Sequence, residues 1–353
     1  MPQILLPLGA SLAGLCLVQF LNISGGAFIG AIAGAAVVRL AWDKSAAPPK
    51  PLQFFARTLI GIIIGIPVNR QALQTASSAI VPIALMIIGL IGLCFFSAWL
   101  TTKVSKLDTA TAFCGSSPGA ATTMVVLSED LGGQTPIVAV LHSFRLILIV
   151  VLMPIGVKVF QSTGALAAAV ETAAAAQAIA GDSPAVYWLK LAGLLAGSLC
   201  AAYFFRKWKV PAAEIMAGIL VAAIGNPLFL RLETYPAIWR PLASWIIGAA
   251  IGCQITRSSL RAIRHFIPVC GVLTLLLVAA GILLGCLLSV TTSLDIVTAL
   301  LGACPGGIDA MVLLAGEMHA SAPLVATMHT IRQILIMLTM PFLIRRIVGK
   351  SRR

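Results

Sequence analysis

Two tetrads hold the residues best suited to chemistry. His142-Ser143-Phe144-Arg145 and His329-Thr330-Ile331-Arg332 each set a histidine three residues before an arginine, a spacing that puts both side chains on one helix face. Both tetrads lie in apolar surroundings. An arginine there is costly and is kept where it faces a polar interior or a partner. Arg145 and Arg332 could flank a carboxylate- or phosphate-bearing solute. They could equally hydrogen-bond to carbonyls at nearby helix ends, with the histidines satisfied in the core. Histidine titrates near neutrality, so His142 and His329 are candidate proton relays.

Upstream of each tetrad is a Gly/Pro cluster, GSSPG at 115–119 and GACPGG at 302–307. A proline inside a helix removes a hydrogen bond and clashes with the preceding turn, so each cluster should separate two half-helices. In Ser117-Pro118-Gly119 and Cys304-Pro305-Gly306 the proline suits the first position of a new helix, and Ser117 suits its N-cap. Free N–H groups there would favour an anion. The carbonyl end of the preceding half-helix would favour a coupling cation. Gly115, Gly119, Gly306 and Gly307 allow close backbone approach, and Ser116 adds a hydroxyl. These positions, with Pro118, Pro305, Cys304, Arg145 and Arg332, form the expected substrate site. The plainer alternative is that Gly and Pro only make a packing kink.

Acidic residues at depth are few. Asp309 stands where the first cluster has Thr122, an asymmetry suited to a single proton or cation site. It is grouped with His142 and His329 as an expected coupling residue, with pairing to Arg332 as the alternative. Asp108 and Asp295 are expected helix N-caps. Glu129, Asp130 and Glu317 are expected to be solvated, and Arg57 to snorkel.

The elements carrying these residues must be membrane helices. Hydrophobic residues make up 59% of the 353 and charged residues only 10%, too little charge to cover a soluble surface. Apolar stretches of about 20 residues, enough to cross a bilayer, recur at 4–22, 78–101, 266–289 and 322–344. The first lacks a basic leader and a small-residue cleavage site, so it reads as a retained helix. The net charge of +13 fits the concentration of Lys and Arg in cytoplasmic loops. No basic soluble domain or zinc spacing points to nucleic acid. The eight cysteines form no CxxC pair and read as small buried hydrophobes.

The chain is also duplicated. A shift of 187 residues carries Gly61, Gly65 and Arg70 onto Gly248, Gly252 and Arg257, and Asp108 and Thr111 onto Asp295 and Thr298. The same shift carries Pro118, His142, Arg145 and Pro154 onto Pro305, His329, Arg332 and Pro341. The expected organisation is a first repeat at 1–160, an Ala-rich linker at 161–184 and a second repeat at 185–353. In the first repeat, crossings are expected near 4–22, 25–42, 52–70, 78–101 and 135–158, with a broken segment at 107–128; its partner is 294–315.

If both broken segments re-enter and the N-terminus is inside, sixteen Lys and Arg residues fall inside and five outside, as the positive-inside rule prefers. Five crossings per half then invert the second repeat, a design used by secondary transporters with midplane sites on broken helices.

The sequence resembles the AbrB family of bacterial membrane proteins. The resemblance spans essentially the whole chain and rests on GSSPGAATTMVVLSEDLGG (115–133) with HSFR (142–145), and on GACPGGIDAMVLLAGEM (302–318) with HTIR (329–332). In the family two glycines commonly follow the proline; the second copy keeps both, whereas the first has Gly119 and Ala120. The resemblance implies the duplicated membrane unit. Family labels such as ammonia monooxygenase or regulator of gene expression imply little mechanism. A metal monooxygenase needs clustered His or carboxylate ligands, and the four histidines show no such spacing.

The expected protein is therefore not an enzyme and needs no cofactor or metal. It is an all-α bacterial inner-membrane protein with ten crossings in two inverted repeats and both termini cytoplasmic. Its expected partners are the lipid bilayer and a small solute, with no nucleic acid; a homodimer fits the architecture, though no residue pattern identifies one. The expected function is secondary transport of a small organic anion by alternating access, coupled to protons or sodium. The alternative is a membrane sensor or regulator that binds a ligand without moving it.

Overall fold

The computed structural model describes residues 2–20, 26–42, 46–66, 79–105, 107–117, 121–162, 184–208, 210, 212–230, 232, 235–257 and 267–351. Among these residues the regular structure is entirely helical. The first copy contributes α1 (Pro2–Phe20), α2 (Gly26–Ala41), α3 (Lys50–Gly65), α4 (Ile80–Val104), α5 (Thr109–Ser116), α6 (Ala121–Asp130) and α7 (Thr135–Ser162). The second contributes α8 (Pro184–Lys207), α9 (Ala213–Gly225) with a following π-turn (Asn226–Leu230), α10 (Trp239–Gly252), α11 (Ile267–Thr291), α12 (Ile296–Ala303), α13 (Ile308–Glu317) and α14 (Ala322–Ser351). The 187-residue shift maps both bounds of α4, α5 and α6 onto those of α11, α12 and α13. Most of the linker, 163–183, lies outside the described residues.

Among the described residues, seven helices are long and apolar enough to cross a membrane: Gln3–Phe20, Ile80–Val104, Thr135–Met153, Ala185–Lys207, Ala213–Leu230, Gly271–Thr291 and Ala322–Ile344. Of the ten helices expected to cross, α2, α3 and α10 have 16, 16 and 14 residues. At about 1.5 Å per residue such helices span roughly 21–24 Å, less than a hydrocarbon core of about 30 Å. The repeat partner of α2, α9, gains its length through the π-turn, where Asn226 accepts from Leu232 N at 2.6 Å and donates to Leu232 O at 2.8 Å.

The chain folds into two compact units, each drawing segments from both copies. The first comprises Met1–Ser77, Phe160–Gln254 and Ile308–Ala326; the second comprises Ser78–Val159, Ile255–Gly307 and Thr327–Arg353. In the first unit, α3 and α10 pack on each other at the centre. Their C-terminal turns are buried throughout, from Leu59 to Gly65 and from Ile246 to Gly252. Around them α2 packs on α10 as α9 packs on α3, and α1 on α2 as α8 on α9. Small residues permit these crossings. A Cβ on Gly218 of α9 would meet Thr58 O of α3 at 2.7 Å and Gly61 Cα at 2.8 Å. The helix backbones are thus nearly in contact, as in membrane helix packing through small residues. At one edge Trp245 Nε1 donates to Leu8 O at 2.8 Å.

In the second unit α4 packs on α11, α4 on α5, and α11 on α12. Its core gathers Cys94 and Ala98 of α4, Phe113 and Cys114 of α5, Met124 and Leu127 of α6, Leu277 of α11, and Ile336, Met340 and Ile344 of α14. The described cysteines are all free, and Cys94, Cys114, Cys253 and Cys304 are buried. Cys16 and Cys200 depart from the expectation of burial, since both lie on exposed helix faces.

Candidate functional site

Both broken segments form as two half-helices. Asp108 and Asp295 start them as expected, each carboxylate accepting the backbone N–H three residues on, from Thr111 and Thr298, at 2.8 Å. The half-helix after the second break begins later than the sequence suggested. Ser117 is extended (φ −63°, ψ 131°) and caps the C-terminal end of α5, and Cys304 does the same for α12. Among the described residues the next helices are Ala121–Asp130 and Ile308–Glu317. Pro305 is therefore not the first residue of α13. In the second copy a short non-helical connection, 305–307, separates Cys304 from α13, and the last carbonyls of both first half-helices have partners elsewhere. Pro118, Gly119 and Ala120 lie outside the described residues.

Those partners are the two arginines. Arg145 Nη1 donates to Ser116 O at 3.0 Å, and Nη2 to Ser117 O at 2.7 Å. Arg332 Nη1 donates to Cys304 O at 2.6 Å, and Nη2 to Gly306 O at 2.8 Å. A guanidinium at a helix C-terminus meets both orphan carbonyls and the negative end of the helix dipole. Of the two readings of these arginines, the described geometry has the one in which backbone carbonyls are the partners. Both are almost fully buried, at 6% and 3% exposure.

The histidines complete the brace. His142 Nδ1 lies 3.0 Å from Arg145 Nη2, and His329 Nδ1 lies 2.9 Å from Arg332 Nη2. Arginine only donates, so each Nδ1 accepts and each ring is the neutral Nε2–H tautomer. Nε2–H then donates to Cys114 O at 3.0 Å and to Leu301 O at 2.9 Å. Cys114 and Leu301 are equivalent under the 187-residue shift, as are Ser117 and Cys304 among the carbonyls that the arginines meet. The copies differ at the break itself. Ser117 Oγ is buried without a partner among the described residues, and the second copy has Cys304 there.

Glycines set the approach. Gly115 and Gly302 carry no Cβ where Leu141 of α7 and Met328 of α14 press on the break. Gly307 faces Leu146 of α7, which a Cβ would meet at 3.1 Å.

The acids behave differently from expectation. Arg57 does not snorkel freely; its Nε donates to Asp309 Oδ2 at 2.8 Å, joining α3 to α13 within the first unit. Arg57, not Arg332, is thus the partner of Asp309. The 187-residue shift carries Arg57 onto Ser244 of α10, and Ser244 Oγ donates to Glu317 Oε1 at the other end of α13, at 3.2 Å. Equivalent positions of α3 and α10 therefore hold both ends of α13. Glu317 is half-buried rather than solvated, with Oε2 lacking any partner among the described residues. Burial pushes its carboxyl up to about 7, only partly opposed by Phe28 N–H, Ser244 and Arg240. Arg240 is turned away to Gly316 O at 2.9 Å and Tyr235 OH at 2.6 Å. Glu129 and Asp130 are exposed as expected. Sequence reasoning missed the roles of Arg57, Ser244 and Glu317, although the repeat shift linking 57 to 244 could have paired the first two.

These features define an all-helical protein of membrane-spanning character, duplicated, with an arginine-braced broken helix in each copy. The chain belongs to the AbrB family: the family model described as "Transition state regulatory protein AbrB" matches residues 3–108 and 27–348. It is similar to YhjN of Bacillus subtilis (strain 168), named as uncharacterized, at 27% identity over 345 residues, 94% of this chain and 89% of that protein. It is also similar to a protein of Escherichia coli (strain K12) named as a candidate regulator, AbrB, at 27% identity over 302 residues, 84% of this chain and 83% of that protein.

Proposed function

We propose that this protein is a secondary transporter of a small organic anion, working by alternating access and driven by protons or sodium. The observation that carries this reading is the pair of broken helices, equivalent in the two copies, each ending against a buried arginine. Broken helices at equivalent places in two repeats are how secondary transporters build a solute site in the membrane. In this reading the repeats are inverted, the broken segments re-enter, and the protein lies in the inner membrane with its basic loops inside. Arg145 and Arg332 hold the breaks in shape and lend them positive charge. Gly115, Ser116, Ser117, Cys304 and Gly306 line the breaks.

The test is uptake into proteoliposomes under an imposed pH or sodium gradient, with acetate, succinate and citrate as probes. The expected result is gradient-dependent accumulation of one of them, lost when Arg145→Ala and Arg332→Ala are combined. A panel that accumulates nothing, or uptake untouched by that double substitution, overturns the proposal. The second reading, a ligand-binding membrane sensor or regulator, draws on the name of the Escherichia coli relative. It gains if a carboxylate stabilises the purified protein but none is transported.

A further inference from the structure

The two arginines at the breaks are committed to carbonyls, which leaves open which group would grip an anionic solute. Arg57 differs from both. Its side chain is 36% exposed, against 6% and 3% for Arg145 and Arg332 as whole residues. Only its Nε is engaged, by Asp309 Oδ2 at 2.8 Å. Among the described residues Nη1 and Nη2 have no hydrogen-bond partner, so the two-pronged end of the fork, the part that matches a carboxylate, is open. The backbone beneath it is firmly placed, because one helical turn later Gly61 packs directly on Ile215 and Gly218 of α9.

Asp309 is itself only 23% exposed. The other charged side chains on α13 and the helices packed on it are Lys50 of α3, Arg240 of α10 and Glu317; Glu214 of α9 adds a carboxylate near Arg57. Arg240 is spent on Gly316 O and Tyr235 OH. Glu317 lies eight residues along α13, about 12 Å away at 1.5 Å per residue. Arg57 is therefore the cation paired with Asp309 among the described residues.

We propose that Arg57 and Asp309 form an exchange site for a small carboxylate and a proton, a proposal that rests on the anion-transport reading for its purpose. The carboxylate of the solute takes the guanidinium of Arg57 and displaces Asp309. Asp309, half-buried and now without its counter-ion, takes a proton from solution. One anion and one proton then enter together, the protein keeps its net charge, and release of either reforms the ion pair. The repeat-equivalent pair is absent, because Ser244 and Thr122 stand at the positions equivalent to Arg57 and Asp309, so the site occurs once per chain.

The test uses full-length protein in detergent with acetate, succinate and citrate as probes, reading affinity by calorimetry and proton uptake with an indicator dye in weak buffer. Wild type should bind at least one probe with uptake of about one proton per anion. Arg57→Gln should weaken that binding about tenfold or more, the loss of one charge-assisted contact. Asp309→Asn should bind at least as tightly as wild type but without proton uptake. Because Asp309→Asn keeps the shape of the acid, it carries the test if Arg57→Gln does not fold. Binding equal in wild type and Arg57→Gln overturns the site while leaving transport intact, and so does binding without proton uptake in wild type. Arg57-dependent binding with no transport in proteoliposomes overturns the transport reading while leaving the site. Absence of binding by wild type to every probe overturns this proposal.

Discussion

Arg145 and Arg332 satisfy carbonyls that the broken helices would otherwise bury without partners. Removing one strips several hydrogen bonds at once: Arg332→Ala leaves Cys304 O, Gly306 O and His329 Nδ1 unmet. Unsatisfied buried polar groups cost about 1–3 kcal/mol each, partly recovered by relaxation and water. A loss of roughly 2–4 kcal/mol in denaturant unfolding is expected, with Arg332→Lys between the two because an ammonium cannot span both carbonyls. An alanine variant as stable as wild type would show that the brace is dispensable. Glu317 makes a separate prediction. Its folded-state carboxyl is raised to about 7 from an ordinary 4.5, so between those values the folded chain holds a proton that the unfolded chain releases. Stability should therefore fall as pH rises from about 4.5 to 7 and level off above. Glu317→Gln should remove that slope and exceed wild type in stability above pH 7, as read by melting temperature across pH. An unchanged slope would mean that Glu317 is not the group responsible.

At the scale of elements, short helices and close crossings go together. α3 and α10 are only 16 and 14 residues long, and glycines at their crossings let α9 and α2 pack closely on them. Gly218→Ala forces a Cβ against Thr58 O and Gly61 Cα of α3, backbone atoms that cannot turn aside. It should cost about 1–3 kcal/mol, as overpacking does. Gly193→Ala on α8 meets nothing within 4 Å. It should be neutral or raise stability by about 0.5–1 kcal/mol through helix propensity. The pair of melting temperatures checks the assignment: equal effects would refute the close crossing of α3 and α9. A second element-level detail shows how the copies diverge. α6 is followed by Gly132 at φ 71°, and α13 at the equivalent place by His319 at φ 57°. The left-handed turn is retained although the residue that suits it is not.

For the whole molecule, topology is the property that transport depends on. Inverted repeats require equivalent loops to face opposite sides of the membrane. Ser105 follows α4 and Thr292 follows α11 at the equivalent position. Single cysteines at 105 and 292, in a background lacking the eight native cysteines, should react with an impermeant maleimide from opposite sides of inside-out and right-side-out vesicles. Labelling of both from one side would make the repeats parallel and remove the main architectural support for alternating access.

The sequence alone determined whatever depends on local regularity. The 187-residue shift anticipated the matching bounds of α4 to α6 and α11 to α13. Asp108 and Asp295 were legible as caps because a cap acts within three residues of itself. His142 with Arg145 and His329 with Arg332 were legible as neighbours because helix periodicity alone brings them together. Tertiary structure decided the partners. Arg57 meets Asp309 across 252 positions and Ser244 meets Glu317 across 73, both through the packing of α13 against α3 and α10. Ser117 became a C-terminal cap. A side chain's choice among donors, carbonyls and carboxylates depends on which helix backbone comes within about 3 Å, and packing, not spacing along the chain, sets that distance.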